Sequence, residues 1–163
     1  MKKELILLFD TLRDPRDLAE VIHLGLAFDI EIELTGNSIQ PTHVKVINIL
    51  DSWIHDFRDK PQLDHISIHS DFSKRITALK KQGYKIIGTS STIAKAKPLS
   101  KYEFGKGKYV IVFGTETSGL SAEKQELMDE ILSVPMKNKT RFFTVRAVAP
   151  ILAFEALRQK GLI

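Results

Sequence analysis

Residues 109–128 read YVIVFGTETSGLSAEKQELM, and the fold can be read outward from them. The apolar run 109–113 stops on Gly114, a short polar stretch containing Gly119 follows, and Ser121 opens a charged segment. A continuous apolar run bounded by turn residues is the pattern of a strand covered on both faces. Serine ahead of such a segment is a helix N-cap. The plain reading is a strand-to-helix turn. Two glycines and a lone acid, Glu116, in so small a loop admit a second use. Glycine takes the dihedrals that tight loops require and leaves room for a ligand to approach the backbone.

The same alternation recurs on both sides. ELILLF (4–9), IEIEL (30–34), HISIH (65–69), YKIIGT (84–89), KYVIVF (108–113) and ILSVP (131–135) read as strands. Between them, RDLAEVIHLGLAF (16–28) carries apolar residues at helical spacing behind Pro15, and DFSKRITALKKQG (71–83) ends on Gly83. A longer helix is expected from about Pro41, with Val46, Ile49, Leu50, Trp53, Ile54 and Phe57 on its inner face. VRAVAPILAFEALRQKG (145–161) closes the chain as a helix, with Pro150 the awkward residue in its path. Short apolar strands alternating with helices predict a single α/β domain over 1–163, a sandwich with a mostly parallel sheet. In such sheets ligands gather where strands end and helices begin, and 113–119 lies at such a place.

The bulk composition narrows the function. The 163 residues contain no cysteine, which excludes disulfides and thiolate metal sites and fits a cytoplasmic protein. LILLF (5–9) is among the longest wholly apolar runs, far too short for a membrane span. The net charge is +4, and its placement is uneven. Residues 95–108 hold five lysines against Glu103, and 134–160 hold six basic residues against Glu155, a distribution suited to a polyanion such as RNA or to a solvated surface. Neither the G-x-x-x-x-G-K-[ST] phosphate loop nor a G-x-G-x-x-G after the first strand is present. The five histidines are scattered without a carboxylate or cysteine set, so no metal site is expected.

Three segments carry a resemblance. LFDTLRDPRDLAEVIHLGLAF (8–28), VIVFGTETSGLSAEKQELMDEILSVPM (110–136) and FFTVRAVAPILAFEALRQKG (142–161) resemble, in order, the three motifs of the SpoU/TrmH-like branch of SPOUT methyltransferases. The resemblance implies a C-terminal trefoil knot in the α/β domain, S-adenosyl-L-methionine as cofactor, a homodimer, and methylation of a ribose 2′-hydroxyl in tRNA or rRNA. It implies that Gly114, Gly119, Val134, Met136 and Phe142 line the cofactor, with Thr89 at the end of the preceding strand.

Departures from those motifs fall on the acceptor side. The family asparagine of the first motif is Asp17, its glycine is Ala19 and its arginine is His23; in the third motif the asparagine is Thr144 and the following serine is Arg146. A ribose hydroxyl is a poor acid, so transfer to it needs a proton acceptor and alignment. His23 is a chemically reasonable base near neutral pH. On this reading His23, Glu116 and Arg146 are the catalytic candidates, while Arg13, Arg16 and Arg141 meet RNA phosphate. Asp17 reads as a first-turn acid favoured by the helix dipole. The competing reading is a non-catalytic relative that keeps the fold as an RNA- or partner-binding module.

Overall fold

In the computed structural model, which describes residues 3–90, 92, 95–138 and 143–163, the apolar runs form one parallel sheet. Its strands are β1 (Leu5–Asp10), β2 (Glu31–Thr35), β3 (Ile66–His69), β4 (Tyr84–Thr89), β5 (Lys97–Pro98), β6 (Lys108–Phe113) and β7 (Glu130–Ser133). They lie in the order β3-β2-β1-β6-β4-β7-β5, every neighbour parallel. The central strands β1 and β6 are buried nearly end to end, as their unbroken apolar sequences require.

Helices cover both faces. On one, α1 (Pro15–Phe28), α2 (Val44–Trp53) and α5 (Val145–Gln159) bury Leu18, Ile22, Val46, Leu50, Ala149, Leu152 and Ala153 against Leu5, Leu7, Phe9, Ile111 and Phe113. On the other, α3 (Phe72–Lys81) sets Phe72, Ile76 and Leu79 against Ile6, Leu8, Ile86, Val110 and Val112. The alternation of period two along β1 and β6 thus divides one apolar strand between two cores. A short α4 (Ala122–Gln125) follows β6, and Ser121 caps it by accepting from the Lys124 amide. Among the described residues no helix is long and apolar enough to cross a membrane.

Four local features depart from or go beyond what the sequence shows. The second helix starts at Val44, capped by the His43 side chain, and Trp53 stays 40% exposed. The alternation of IEIEL does not send its acid outward: Glu33 is 1% exposed, its carboxylate gripped by Arg75 of α3 through Nε at 2.7 Å and through Nη2. A buried charge is tolerated when it is paired and hydrogen-bonded this way. The two-residue β5 has no signal of its own in the sequence and exists by pairing with β7. Finally, α5 runs through Pro150, whose missing N–H leaves the Arg146 carbonyl without its helical partner.

Candidate active site

The loop after β6 closes on itself. Thr115 and Gly119 exchange backbone hydrogen bonds, Thr115 N to Gly119 O at 3.1 Å and the reverse at 2.9 Å. A Cβ on Gly114 would lie 2.2 Å from the Gly119 carbonyl carbon and 2.3 Å from the Leu120 nitrogen, and Gly119 has φ +67°. Both glycines are therefore required by the loop's own closure, where sequence reasoning had given them a ligand's close approach as well. The Thr115 and Ser118 hydroxyls, 2.8 Å apart, tie the same turn.

Glu116 faces the first motif. Its Oε1 accepts from the Arg13 and Asp14 amides, both at 3.3 Å. Asp14 in turn caps α1, accepting from the Arg16 amide at 2.8 Å and the Asp17 amide at 3.1 Å. Below them, Lys124 of α4 reaches the buried Asp10 at the end of β1 at 2.5 Å, and Thr35 donates to the other carboxylate oxygen at 3.1 Å. Two strand ends, a helix start and the glycine loop are thus locked at the C-terminal edge of the sheet.

Beside them, where β4, β6 and β7 end, lies a cavity of about 520 Å³. One part of its wall is apolar: Phe113, Leu120, Leu132, Val134, Met136, Val148 and Leu152. Thr89, Ser90 and Thr92 add hydroxyls, although Thr89 already donates to the Val112 carbonyl at 3.0 Å. Another part is charged, with Asp14, Asp17, Glu116 and Arg146. Arg146 Nε lies 3.4 Å from Asp17 Oδ1. Burial raises the Asp17 carboxyl above its ordinary value; Arg146 pulls it back, and Asp14, Glu116 and Glu20 push it further up.

Of the candidates from sequence, Thr89, Gly114, Glu116, Gly119, Val134, Met136 and Arg146 all line this cavity. Arg13 and Arg16 are exposed on either side of Asp14 at its edge. His23 is not brought there: it is exposed on α1, its ring 5.9 Å from that of Trp53. Arg141 and Phe142 lie outside the described residues. Sequence reasoning missed the position of Asp17. It sits in the first turn of α1 as expected, but it is buried and faces α5 instead of solvent. The basic stretches are also less free than their counts imply. Lys97 pairs with Glu130, Lys160 with Glu4 and Arg158 with Glu155, while Lys108 donates to the Gln82 carbonyl. Among the described residues no cluster of three or more histidines and carboxylates could hold a metal ion.

All three sequence motifs thus converge on one cavity, and the family model of the SpoU rRNA Methylase family matches residues 4–154. The chain belongs to the SpoU rRNA Methylase family. A relative, the tRNA (guanosine(18)-2′-O)-methyltransferase of Thermus thermophilus, is 23% identical over 158 residues, 96% of this chain and 76% of that protein. In fold the chain is similar to the AdoMet-bound rRNA methyltransferase of Sinorhizobium meliloti, with a TM-score of 0.80 at 19% identity over 97% of this chain and 57% of that one. It is also similar to a protein solved in connection with 2-OH methylation of C/U34 on tRNA, with a TM-score of 0.78 at 21% identity over 98% and 97% of the two chains. The chain therefore spans little more than half of the first structure and nearly all of the second.

Proposed function

We propose that the chain is an S-adenosyl-L-methionine-dependent RNA methyltransferase acting on a ribose 2′-hydroxyl of tRNA or rRNA. The observation that carries this reading is the cavity at the sheet's C-terminal edge, walled by all three motifs of a chain that belongs to the SpoU family. The wall fits the cofactor by its chemistry. Apolar Leu132, Val134, Met136, Val148 and Leu152 suit a purine and a thioether chain, hydroxyls and loop backbone suit a ribose, and carboxylates nearby favour a sulfonium. Bound there, the cofactor supplies an electrophilic methyl group.

The chain's own residues bind and align. Thr89, Gly114, Gly119, Val134 and Met136 hold the cofactor, Phe142 with them. Glu116 fixes the loop to the start of α1, and Arg146 is the cation that faces the acceptor, with Arg13, Arg16 and Arg141 meeting the flanking phosphates. His23, its ring tilted against Trp53, is assigned to the outer surface of α1 and not to the reaction. The cavity is open rather than filled by side chains, which favours an enzyme over a binding module.

A homodimer completes the reading, together with the trefoil knot and a cytoplasmic location. On α5 the large apolar side chains Ile151 and Phe154, one turn apart, remain 41% and 50% exposed, a stripe that a second copy would cover. The test of the activity is transfer of labelled methyl to bulk tRNA and rRNA, followed by alkaline hydrolysis. Label in alkali-stable dinucleotides is expected, because a 2′-O-methyl blocks cleavage. Label released in mononucleotides would mean a base acceptor, and absence of label would remove the assignment.

A further inference from the structure

The charged end of the cavity holds three carboxylates that are not equivalent. Asp14 and Glu116 are exposed, and each accepts two backbone N–H groups: Arg16 and Asp17 for the first, Arg13 and Asp14 for the second. One oxygen of each is thus already engaged by the backbone. Asp17 differs on both counts. It is 9% exposed, and among the described residues its carboxylate faces Arg146 at 3.4 Å and accepts no hydrogen bond. Its acceptor capacity is left for something that enters the cavity.

We propose that Asp17 is the group that receives the acceptor hydroxyl and takes its proton, with Arg146 as the residue that positions it. This rests on the methyltransferase reading above. In the step, the ribose 2′-oxygen forms its bond to the methyl carbon, the methyl–sulfur bond breaks with its electron pair returning to sulfur, and the hydroxyl proton passes to a carboxylate oxygen of Asp17. The carboxylic acid so formed releases the proton to water as product leaves. Burial raises the Asp17 carboxyl above its ordinary value, in the direction a proton acceptor needs. The groups that set its charge are Arg146 from α5, Glu116 from the glycine loop, and Asp14 and Glu20 from around the start of α1. The sequence offers His23 for this work, yet the fold points that ring at Trp53.

The test is Asp17→Asn, close in shape and unable to accept the proton, with Asp17→Glu beside it. Turnover of the Asn variant should fall roughly 100-fold or more, as loss of a general base does, while its affinities for S-adenosylmethionine and for RNA stay within about threefold. Asp17→Glu should recover at least roughly tenfold of that loss, and the wild-type rise of rate with pH should be absent from the Asn variant. Unfolding supplies a readout independent of activity. A carboxyl raised in the folded state stabilises most below its ordinary pKa, and that contribution disappears as pH rises through the folded value. The melting temperature of Asp17→Asn should therefore gain on wild type as pH rises from about 4 to 8. An active wild type with equal turnover in Asp17→Asn, equal rates for the Asn and Glu variants, or an Asn variant that loses stability or unfolds at neutral pH, would each overturn the proposal. An inactive wild type would instead remove the reading on which it rests.

Discussion

Gly114 shows how much can depend on one absent methyl group. Its missing Cβ makes room for the Gly119–Leu120 peptide, and backbone at 2.2–2.3 Å has nowhere to go. Gly114→Ala should open the loop at a cost of about 2–3 kcal/mol, the range of overpacked cores, seen as a lower melting temperature and lost cofactor binding. Glu33 makes a different point. It is buried against Arg75, so Glu33→Ala should cost about 3 kcal/mol in denaturant unfolding, because it leaves the guanidinium without its partner. Sequence alone showed that the two glycines mattered but not why, since the contact runs between two backbone segments of one loop. It gave no sign that Glu33 is buried, because its partner lies on α3, in another segment of the chain. The pairing of Asp17 with Arg146 escaped for the same reason, as it depends on α1 and α5 packing side by side.

At the level of elements, periodicity served well wherever one strand or helix had to bury a continuous face. The runs at β1, β4 and β6 and the helices α1 and α3 are apolar in a pattern that only one local structure satisfies. It failed at β5, whose two residues carry no pattern, and at the start of α2, where His43 acts as a cap and Pro41 lies outside the helix. The end of α5 is held by polar bonds that no periodicity reports. Gln159 accepts from the Phe104 amide at 2.7 Å and donates to the Tyr102 carbonyl at 3.0 Å. Gln159→Ala should destabilise the protein by about 1–2 kcal/mol in thermal or urea unfolding, since it orphans part-buried backbone groups. The exposed stripe on the same helix belongs to association. If a second copy covers it, Phe154→Asp with Ile151→Asp should shift the sedimenting species from dimer to monomer without unfolding it. A monomeric wild type would contradict that assignment.

For the molecule as a whole, charge and acid sensitivity follow from what the fold buries. His65 lies against the Ile22 carbonyl at 3.1 Å and burial holds its pKa below the ordinary histidine value. Its contribution to stability is present above that ordinary value, near 6.5, and is lost as pH falls through the lower folded one. Between about pH 7.5 and 5 the melting temperature should fall, and His65→Gln should flatten part of the slope. The sequence located the glycine loop, the sheet class and the three motifs, because these are local signals in fixed order. It left open which acid and which base meet, because that is decided where the two ends of the chain come together. The most direct test of the central claim is calorimetric titration of S-adenosylmethionine into the purified protein, with S-adenosylhomocysteine in parallel. Saturable binding of both, one site per chain and abolished by Gly114→Ala, is the predicted result. Failure of either ligand to bind the folded wild-type protein would contradict the assignment of this cavity to the cofactor.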